Sequence, residues 1–177
     1  MARQIRRRTT ASTRWTSAAA LLLILGATGW TYTALRLAEV PSKSMLPTLR
    51  PGDVVTMRID AYRDRMPRRG EIIIFHASDN GELLIKRVVG QPGEAITVWS
   101  GLVWINGQRL RESYVIGKLI LERPETLVLK DDEVWVMGDN RDFSNDSRDY
   151  GPVKRSQIVG RAAAIIWPAA RRGKLGQ

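Results

Sequence analysis

The hydrophobic pattern of the chain changes once, close to residue 38. From Trp15 to Leu35, 21 consecutive residues carry no charge, and the most apolar part is the segment 18–25. At a rise of about 1.5 Å per residue, a helix of this length crosses a hydrocarbon core of roughly 30 Å. Beyond residue 48 the apolar positions recur in short runs, often at every second residue, and no stretch keeps a 3.6-residue period. This change predicts one membrane-spanning helix followed by β-strands.

The short runs after residue 48 predict an all-β domain built from coiled antiparallel β-sheets, in a barrel-like or two-sheet arrangement. Asn106-Gly107 lies between two apolar runs and favours a hairpin, because both central residues of a type I′ turn need positive φ. The predicted strands cover residues 53–59, 71–76, 83–89, 95–99, 102–105, 126–129, 133–137, 156–160 and 162–167. We expect the basic end of the chain, around 171–174, to be disordered.

The net charge of +10 is distributed unevenly. Residues 1–38 contain six arginines and no acid, which leaves 22 basic and 18 acidic residues for the rest of the chain. Five of these arginines precede the apolar run, so the positive-inside rule places the N-terminus in the cytoplasm and the β-domain outside the cytoplasmic membrane. A basic tail can also bind nucleic acid, but its position beside an apolar run favours a topology signal.

The predicted organisation therefore has four parts. They are a basic cytoplasmic tail (1–14), a single-pass transmembrane anchor (15–37), a β-domain (38–168) and a basic C-terminal tail (169–177). A cleavable signal peptide is the alternative to the anchor, because the strongly apolar core is short and small residues follow it. Both alternatives export the domain.

Composition limits the chemistry that the domain can use. The chain has no cysteine, which excludes disulfides and thiolate metal sites, and its single histidine, His76, cannot form a histidine-based zinc site alone.

The first candidate for chemistry is Ser44, in the segment 41–48, which holds two serines and two prolines. Pro47 restricts its own φ and pushes Leu46 toward an extended conformation, so the backbone near Ser44 is stiff.

Lys86 is the second candidate, because it shares a predicted strand face with Leu84 and Val88. An edge-strand lysine, or one whose amine reaches solvent, explains the pattern without any function. Burial instead disfavours the ammonium and lowers the pKa of the amine, which then serves as a neutral base near pH 7. A serine nucleophile needs such a base, and lysine supplies it where histidine does not.

The third candidate is the polar stretch 137–148, which follows an apolar strand directly. A solvated loop or a calcium site would explain its carboxylates, but the interleaved Arg141 and Arg148 disfavour a cation. We predict instead that Asp146 pairs with Arg148, or Asp139 with Arg141, to brace the loop. A braced loop can present a serine hydroxyl, Ser144, as a hydrogen-bond partner.

Taken together and in this order after one apolar segment, the three stretches resemble the type I signal (leader) peptidases, which are Ser-Lys serine proteases. The resemblance covers the anchor and most of residues 38–168, with boxes at 41–48, 84–94 and 138–148. It implies the coiled all-β fold of that family in a compact version, with one span and no large inserted subdomain. It also implies cleavage of exported preproteins at Ala-x-Ala-like sites, with preproteins and the lipid bilayer as partners and with no cofactor, metal or nucleic acid.

The resemblance implies a role for each candidate residue. Ser44 attacks the scissile carbonyl, and Lys86 is the general base and then the proton donor to the leaving amine. The Ser44 N–H and the Ser42 hydroxyl form the oxyanion hole, while Ser144 orients the Lys86 amine. Side chains that hold the third box in place are Asp139, Asp146 and Arg148. Side chains that wall the shallow P1 and P3 pockets are Val40, Met45, Leu49 and Ile85.

Other functions differ from this one in features that the sequence displays. A Ser-x-x-Lys hydrolase needs lysine at position 47, where this chain has proline. A Ser-His-Asp hydrolase would have to use His76, and a self-cleaving repressor would need a DNA-binding module in place of the apolar segment. A maturation peptidase dedicated to a conjugation or pilus system would carry the same boxes. A non-enzymatic, membrane-tethered β-domain would have lost Ser44 or Lys86, and both are present.

Overall fold

The computed structural model of the protein describes residues 35–77, 81–99, 101–117 and 125–176. Within these ranges no helix is long and apolar enough to cross a membrane. The predicted anchor lies outside the described residues except for its last three positions, 35–37, which belong to a β-strand.

Twelve strands and a few single helical turns make up the described chain. In chain order the strands are β1 (Leu35–Glu39), β2 (Val54–Arg58), β3 (Ile72–His76), β4 (Leu83–Gly90), β5 (Ala95–Trp99), β6 (Leu102–Ile105), β7 (Gln108–Arg109), β8 (Glu125–Val128), β9 (Glu133–Met137), β10 (Val153–Lys154), β11 (Ile158–Trp167) and β12 (Gly173–Lys174). The helical turns are the short α-helix α1 (Ser147–Tyr150) and three 3-10 turns at Arg141–Phe143, Arg155–Gln157 and Ala169–Arg171.

The strands form two antiparallel sheets. The larger has the order β1-β2-β11-β3-β4-β9-β10, with β12 paired to β11, and the smaller has the order β7-β6-β5-β8. The two sheets share a buried cluster to which the larger sheet contributes Val89 and Met137 and the smaller sheet Ile96 and Val103. Full burial of such side chains contributes about 1.5–3 kcal/mol each. The mostly β architecture agrees with the predicted fold class.

Strand β4 lies in the interior of the larger sheet, between β3 and β9. Its last six residues are buried on both faces, and these include the consecutive charged residues Lys86 and Arg87. Because successive side chains of a strand point to opposite faces, this strand places the Lys86 amine and the Arg87 guanidinium in two different buried surroundings. This placement organises the site described below.

Most predicted strands and the hairpin are confirmed. At the turn between β6 and β7, Asn106 has φ 51° and Gly107 has φ 79°, as a type I′ turn requires. The two strands predicted over 156–160 and 162–167 are instead one strand, β11, with irregular register at two places against β2. Residues 155–157 form a helical turn before it.

Two expectations for the chain ends are wrong. Residues 35–37 belong to β1, whose backbone pairs with β2 from Leu35↔Arg58 to Glu39↔Val54. The basic C-terminal segment is ordered: β12 pairs with β11, and the Leu175 side chain is buried. The hydropathy pattern reveals neither strand β1 nor the ordered C-terminal segment. The apolar residues of β1 continue the uncharged run, and the basic residues of the C-terminal segment are typical of a solvated tail.

Close packing of β11 on β2 predicts that Gly160→Ala destabilises the domain. A Cβ at position 160 would lie 2.6 Å from the Arg58 carbonyl oxygen and 2.8 Å from Met57 Cγ, so the paired backbone must shift. We expect the free energy of unfolding to fall by about 1–3 kcal/mol in urea titrations. Gly173→Ala in β12 is the control, because the nearest atom there is 4.0 Å away. Equal losses in the two variants would contradict this packing.

Candidate active site

Ser44 lies on a loop that connects β1 to β2 and closes on itself. The Val40 N–H donates to the Asp53 carbonyl oxygen at 2.9 Å, and the Gly52 N–H donates to the Val40 carbonyl oxygen at 2.9 Å. Inside the loop, the Leu49 N–H donates to the Met45 carbonyl oxygen at 2.8 Å. We call residues 40–53 the serine loop. Its compact backbone buries Ser44, which is 3% exposed.

Lys86 approaches the serine loop from β4. Its Nζ donates to Ser44 Oγ at 3.0 Å and to the Ile85 carbonyl oxygen at 3.1 Å. The side chain is buried, as its neighbours on the strand predicted, with 3% exposure. Burial lowers the pKa of the Lys86 ammonium, and the negative charges of Asp146 and Glu82 oppose this shift only in part. The arrangement therefore places a base that is readily neutral at hydrogen-bonding distance from a hydroxyl.

Ser42 lies in the serine loop, two residues before the nucleophile candidate Ser44. Its Oγ is 3.1 Å from Ser44 Oγ and accepts a long hydrogen bond, 3.5 Å, from the Ser44 N–H. Unlike Ser44, Ser42 is exposed. The two predicted oxyanion donors thus lie next to each other.

Asp146 is the centre of the polar stretch, which the structure folds into two helical turns. Its carboxylate accepts from Arg148 Nε at 2.8 Å, from the Gly138 N–H at 2.9 Å and from Ser144 Oγ at 2.7 Å. It also caps helix α1 by accepting from the Arg148 N–H. The predicted Asp146–Arg148 pair is confirmed.

The Ser144 hydroxyl points its proton at Asp146. A serine hydroxyl has one proton, so this bond leaves the Ser144 oxygen as an acceptor. Among the described residues, the hydrogen bonds of the Lys86 amine go to Ser44 and Ile85 rather than to Ser144. The orienting role implied for Ser144 remains a prediction.

Asp139 pairs with Arg87, and the predicted Asp139–Arg141 pair is wrong. Arg87 Nε and Nη2 donate to the two Asp139 oxygens at 2.8 and 2.6 Å, and both side chains are buried. The Arg87 guanidinium also lies 4.0 Å from the Tyr114 ring centroid. Arg141 is paired with Glu112 instead, at 2.5 Å. The cause is strand register: β4 and β9 align Arg87 with Met137, which brings its guanidinium to the residues that follow β9.

Two positions that sequence reasoning overlooked hold the serine loop against the polar stretch. The Asn140 N–H donates to the Ser44 carbonyl oxygen at 3.0 Å, and its side-chain amide donates to the Lys43 carbonyl oxygen at 3.2 Å. A Cβ on Gly138 would lie 2.3 Å from Ser144 Oγ and 2.6 Å from the Ser44 carbonyl oxygen. Only glycine allows this approach. Both residues are next to Asp139 in the polar stretch, and this adjacency is the sequence feature that points to them.

The residues expected to wall the substrate pockets lie together. All four belong to one apolar cluster and are at most 8% exposed. They are Val40, Met45, Leu49 and Ile85. Three of them are in the serine loop within five residues of Ser44, so the cluster adjoins the nucleophile candidate.

His76 does not meet Ser44. It is exposed at the end of β3, where its Nδ1 lies 3.2 Å from the Gly81 carbonyl oxygen. Its strand partner is Leu83, three positions along β4 from Lys86. Across the described part of the chain, no group of three or more histidine, cysteine or carboxylate side chains is arranged to hold a metal ion.

A family model and related sequences agree on one family. The family described as "Signal peptidase, peptidase S26" matches residues 12–167. A signal peptidase I of Leptolyngbya laminosa is 42% identical over 146 residues, which cover 77% of this chain and 71% of that protein. Signal peptidase IB of Staphylococcus aureus strain Mu50 is 30% identical over 146 residues, covering 73% and 76%. A crystal structure of a signal peptidase I from Enterococcus faecalis V583 aligns with a TM-score of 0.47 at 31% identity, covering 55% of this chain and 97% of that one.

The buried ion pair predicts that Asp139→Asn destabilises the domain strongly. The variant leaves the Arg87 guanidinium buried without its carboxylate, a change that costs about 3–5 kcal/mol in comparable pairs. Urea unfolding measures the loss. Asp60→Asn is the matched control, because Asp60 forms an arginine pair with Arg58 at the surface, where such pairs contribute little. If both variants unfold at the same urea concentration as the unaltered protein, the pair does not brace the site.

Proposed function

The chain belongs to the signal peptidase family, peptidase S26, and we propose that it acts through a catalytic dyad of Ser44 and Lys86. As a member it is a serine peptidase that removes signal peptides from preproteins. The observation that carries the dyad is the 3.0 Å hydrogen bond between Lys86 Nζ and Ser44 Oγ in a buried setting. The position of His76 also supports the dyad, because its ring is exposed and its Nδ1 lies 3.2 Å from the Gly81 carbonyl oxygen, in the connection between β3 and β4.

In the acylation step, the neutral Lys86 amine takes the proton of the Ser44 hydroxyl as Oγ bonds to the scissile carbonyl carbon. The carbonyl electron pair moves to the oxygen, and the Ser44 N–H and the Ser42 hydroxyl stabilise the resulting oxyanion. Their adjacency, with Ser42 Oγ 3.1 Å from Ser44 Oγ, supports this role. When the C–N bond breaks, the Lys86 ammonium returns its proton to the leaving amine.

In the deacylation step, neutral Lys86 takes a proton from water, whose oxygen attacks the ester carbon. The new carboxylate leaves and Ser44 regains its proton. We assign Ser144, Asp139, Asp146 and Arg148 to positioning rather than to proton transfer. Their support is the hydrogen-bond network that joins the polar stretch to the Ser44 and Lys43 carbonyl oxygens through Asn140.

For specificity, we propose that the apolar cluster beside Ser44 selects small side chains at P1 and P3, as in Ala-x-Ala sites. Its four members are packed together and at most 8% exposed, which supports a shallow pocket with little surface for a large substrate side chain. These members are Val40, Met45, Leu49 and Ile85. A pocket closed in this way rejects large residues through overlap rather than through charge.

We also propose that the uncharged run from Trp15 anchors the protein in the cytoplasmic membrane, with the basic tail 1–14 inside and the β-domain outside. The proposed anchor ends no later than residue 34, since β1 starts at Leu35. The apolar segment of a signal peptide lies in the same bilayer, so anchoring raises the effective concentration of enzyme and substrate.

Cleavage of a preprotein with an Ala-x-Ala site, in detergent or liposomes, tests the dyad. We expect Ser44→Ala and Lys86→Met to abolish cleavage after the second alanine, because each removes one partner of the proton transfer. The control His76→Ala should retain full activity. A preprotein that is bound by the intact protein and never cut would favour a dedicated maturation peptidase or a non-enzymatic domain. Loss of cleavage in folded His76→Ala would refute the dyad.

The lowered pKa of Lys86 predicts the pH profile of cleavage. The base is active only when neutral, so kcat/KM should rise with pH through a pKa well below the usual lysine value of 10.5 and then level off. Lys86→Arg should be inactive across the same range, since a guanidinium does not lose its proton in proteins. A profile that is flat from about pH 5 to 10 is incompatible with a lysine base.

A further inference from the structure

Arg171, in the C-terminal segment, makes a two-pronged contact with the serine loop. Its Nε and Nη2 each donate to one oxygen of the Asp53 carboxylate at 2.8 Å. Nη2 also donates to the Thr48 carbonyl oxygen at 3.1 Å. Asp53 is 1% exposed, and the hydrogen bonds from Arg171 hold its pKa below the usual range. Arg171 and the ionised Asp53 carboxylate therefore form a bidentate ion pair, in which the carboxylate is buried.

Both residues that Arg171 contacts fix the shape of the serine loop. Asp53 closes the loop, since its carbonyl oxygen accepts from the Val40 N–H and its carboxylate accepts from the Arg50 N–H at 2.8 Å. Thr48 connects the loop to the polar stretch, because its hydroxyl donates to Asp139 at 2.5 Å. Arg171 thus bonds to the closing residue of the loop and to the residue that joins it to Asp139.

The segment that carries Arg171 is itself secured to the domain. Strand β12 pairs with β11, and the Leu175 N–H donates to the Ala163 carbonyl oxygen at 2.9 Å. The Leu175 side chain is buried in the same apolar cluster as Met45 and Leu49 of the serine loop. Arg171 is therefore carried by a segment that strand pairing and apolar packing fix to the domain.

We propose that Arg171 is a positioning residue for Ser44, and that the C-terminal segment 168–176 is part of the active-site framework. Two bidentate arginine–aspartate pairs hold the serine loop. The Arg87–Asp139 pair forms hydrogen bonds with the Thr48 hydroxyl, and Arg171 of the Arg171–Asp53 pair donates to the Thr48 carbonyl oxygen. With only one of them, the loop can shift relative to β4, and the distance between Ser44 and Lys86 changes. Displacements of about 1 Å in a catalytic group can cost on the order of a hundredfold in rate.

The proposal rests on the proposed Ser44–Lys86 chemistry, and the test compares two neighbouring arginines in the full chain. We would measure kcat and KM for Ala-x-Ala preprotein cleavage in Arg171→Ala, Arg171→Lys, Asp53→Asn and Arg172→Ala. Arg172→Ala is the matched control, since it removes the same charge from the same helical end and only backbone hydrogen bonds are found at Arg172 in the described structure.

We expect kcat to fall roughly tenfold to a hundredfold in Arg171→Ala, with KM within about twofold, because the nucleophile is misplaced while the substrate surface is retained. Arg171→Lys should retain more activity than Arg171→Ala. The double variant, Asp53→Asn with Arg171→Ala, should have a kcat no lower than that of either single variant, because both changes break the same ion pair. Arg172→Ala should match the unaltered protein.

Three results would overturn the proposal. The first is an unchanged kcat in Arg171→Ala, and the second is an equal fall in kcat in Arg171→Ala and Arg172→Ala. The third is a fall in kcat of Arg171→Ala that equals the fraction of this variant that is unfolded, as measured by thermal unfolding. The Ser44→Ala variant distinguishes failure of the positioning role from failure of the proposed Ser44–Lys86 chemistry. If Ser44→Ala still cleaves, the dyad fails; if only Arg171→Ala is unaffected, the dyad stands and the positioning role is lost.

Discussion

The structure depends on the burial of a lysine amine beside a serine hydroxyl. An ammonium loses solvation on burial, so the neutral form of Lys86 is favoured, and the amine contacts two uncharged groups, the Ser44 hydroxyl and the Ile85 carbonyl oxygen. That contact needs both partners to be held within a few tenths of an ångström. Lys86 is held by an interior strand, whereas Ser44 is on a loop, and the surrounding structure has to supply the rigidity that a loop lacks.

Buried ion pairs supply that rigidity. Arg87 with Asp139, Arg148 with Asp146 and Arg171 with Asp53 lie around the serine loop and the polar stretch, and every carboxylate among them is at most 2% exposed. Such pairs contribute little net stability compared with apolar packing, but they define geometry, because a guanidinium and a carboxylate meet in few orientations. The domain therefore uses charge to fix positions and leaves stability to the apolar clusters.

The sequence predicts the fold where the physics is local. Strands that are buried on one face show alternating hydrophobicity, and Asn106-Gly107 identifies its turn because few other residues tolerate positive φ in succession. Strands of two residues, such as β7, β10 and β12, are too short to show a period. The start of β1 is not visible in the sequence, because the uncharged run before it continues into the strand. The order of the C-terminal segment depends on contacts with distant residues: the pairing of β12 with β11, and the ion pair of Arg171 with Asp53, 118 residues away.

The same distinction applies to the site. Lys86 is identifiable because a charge among apolar alternate positions is locally anomalous, and Asp146 with Arg148 because they are two residues apart. The partner of Asp139 is not identifiable, since the nearby Arg141 is an equally good candidate until the pairing of β4 with β9 brings Arg87 closer. Asn140 and Gly138 act through backbone contacts with Ser44, which depend on how two distant segments meet.

The most direct test of the central claim is an NMR titration of the Lys86 amine in the full chain, with lysine labelled at the ε carbon and the Lys86 signal assigned through Lys86→Met. We expect this signal to titrate below the usual lysine value of 10.5, and to return toward that value when the domain is unfolded. If Lys86 titrates near 10.5, the amine is not desolvated and does not serve as the base for Ser44.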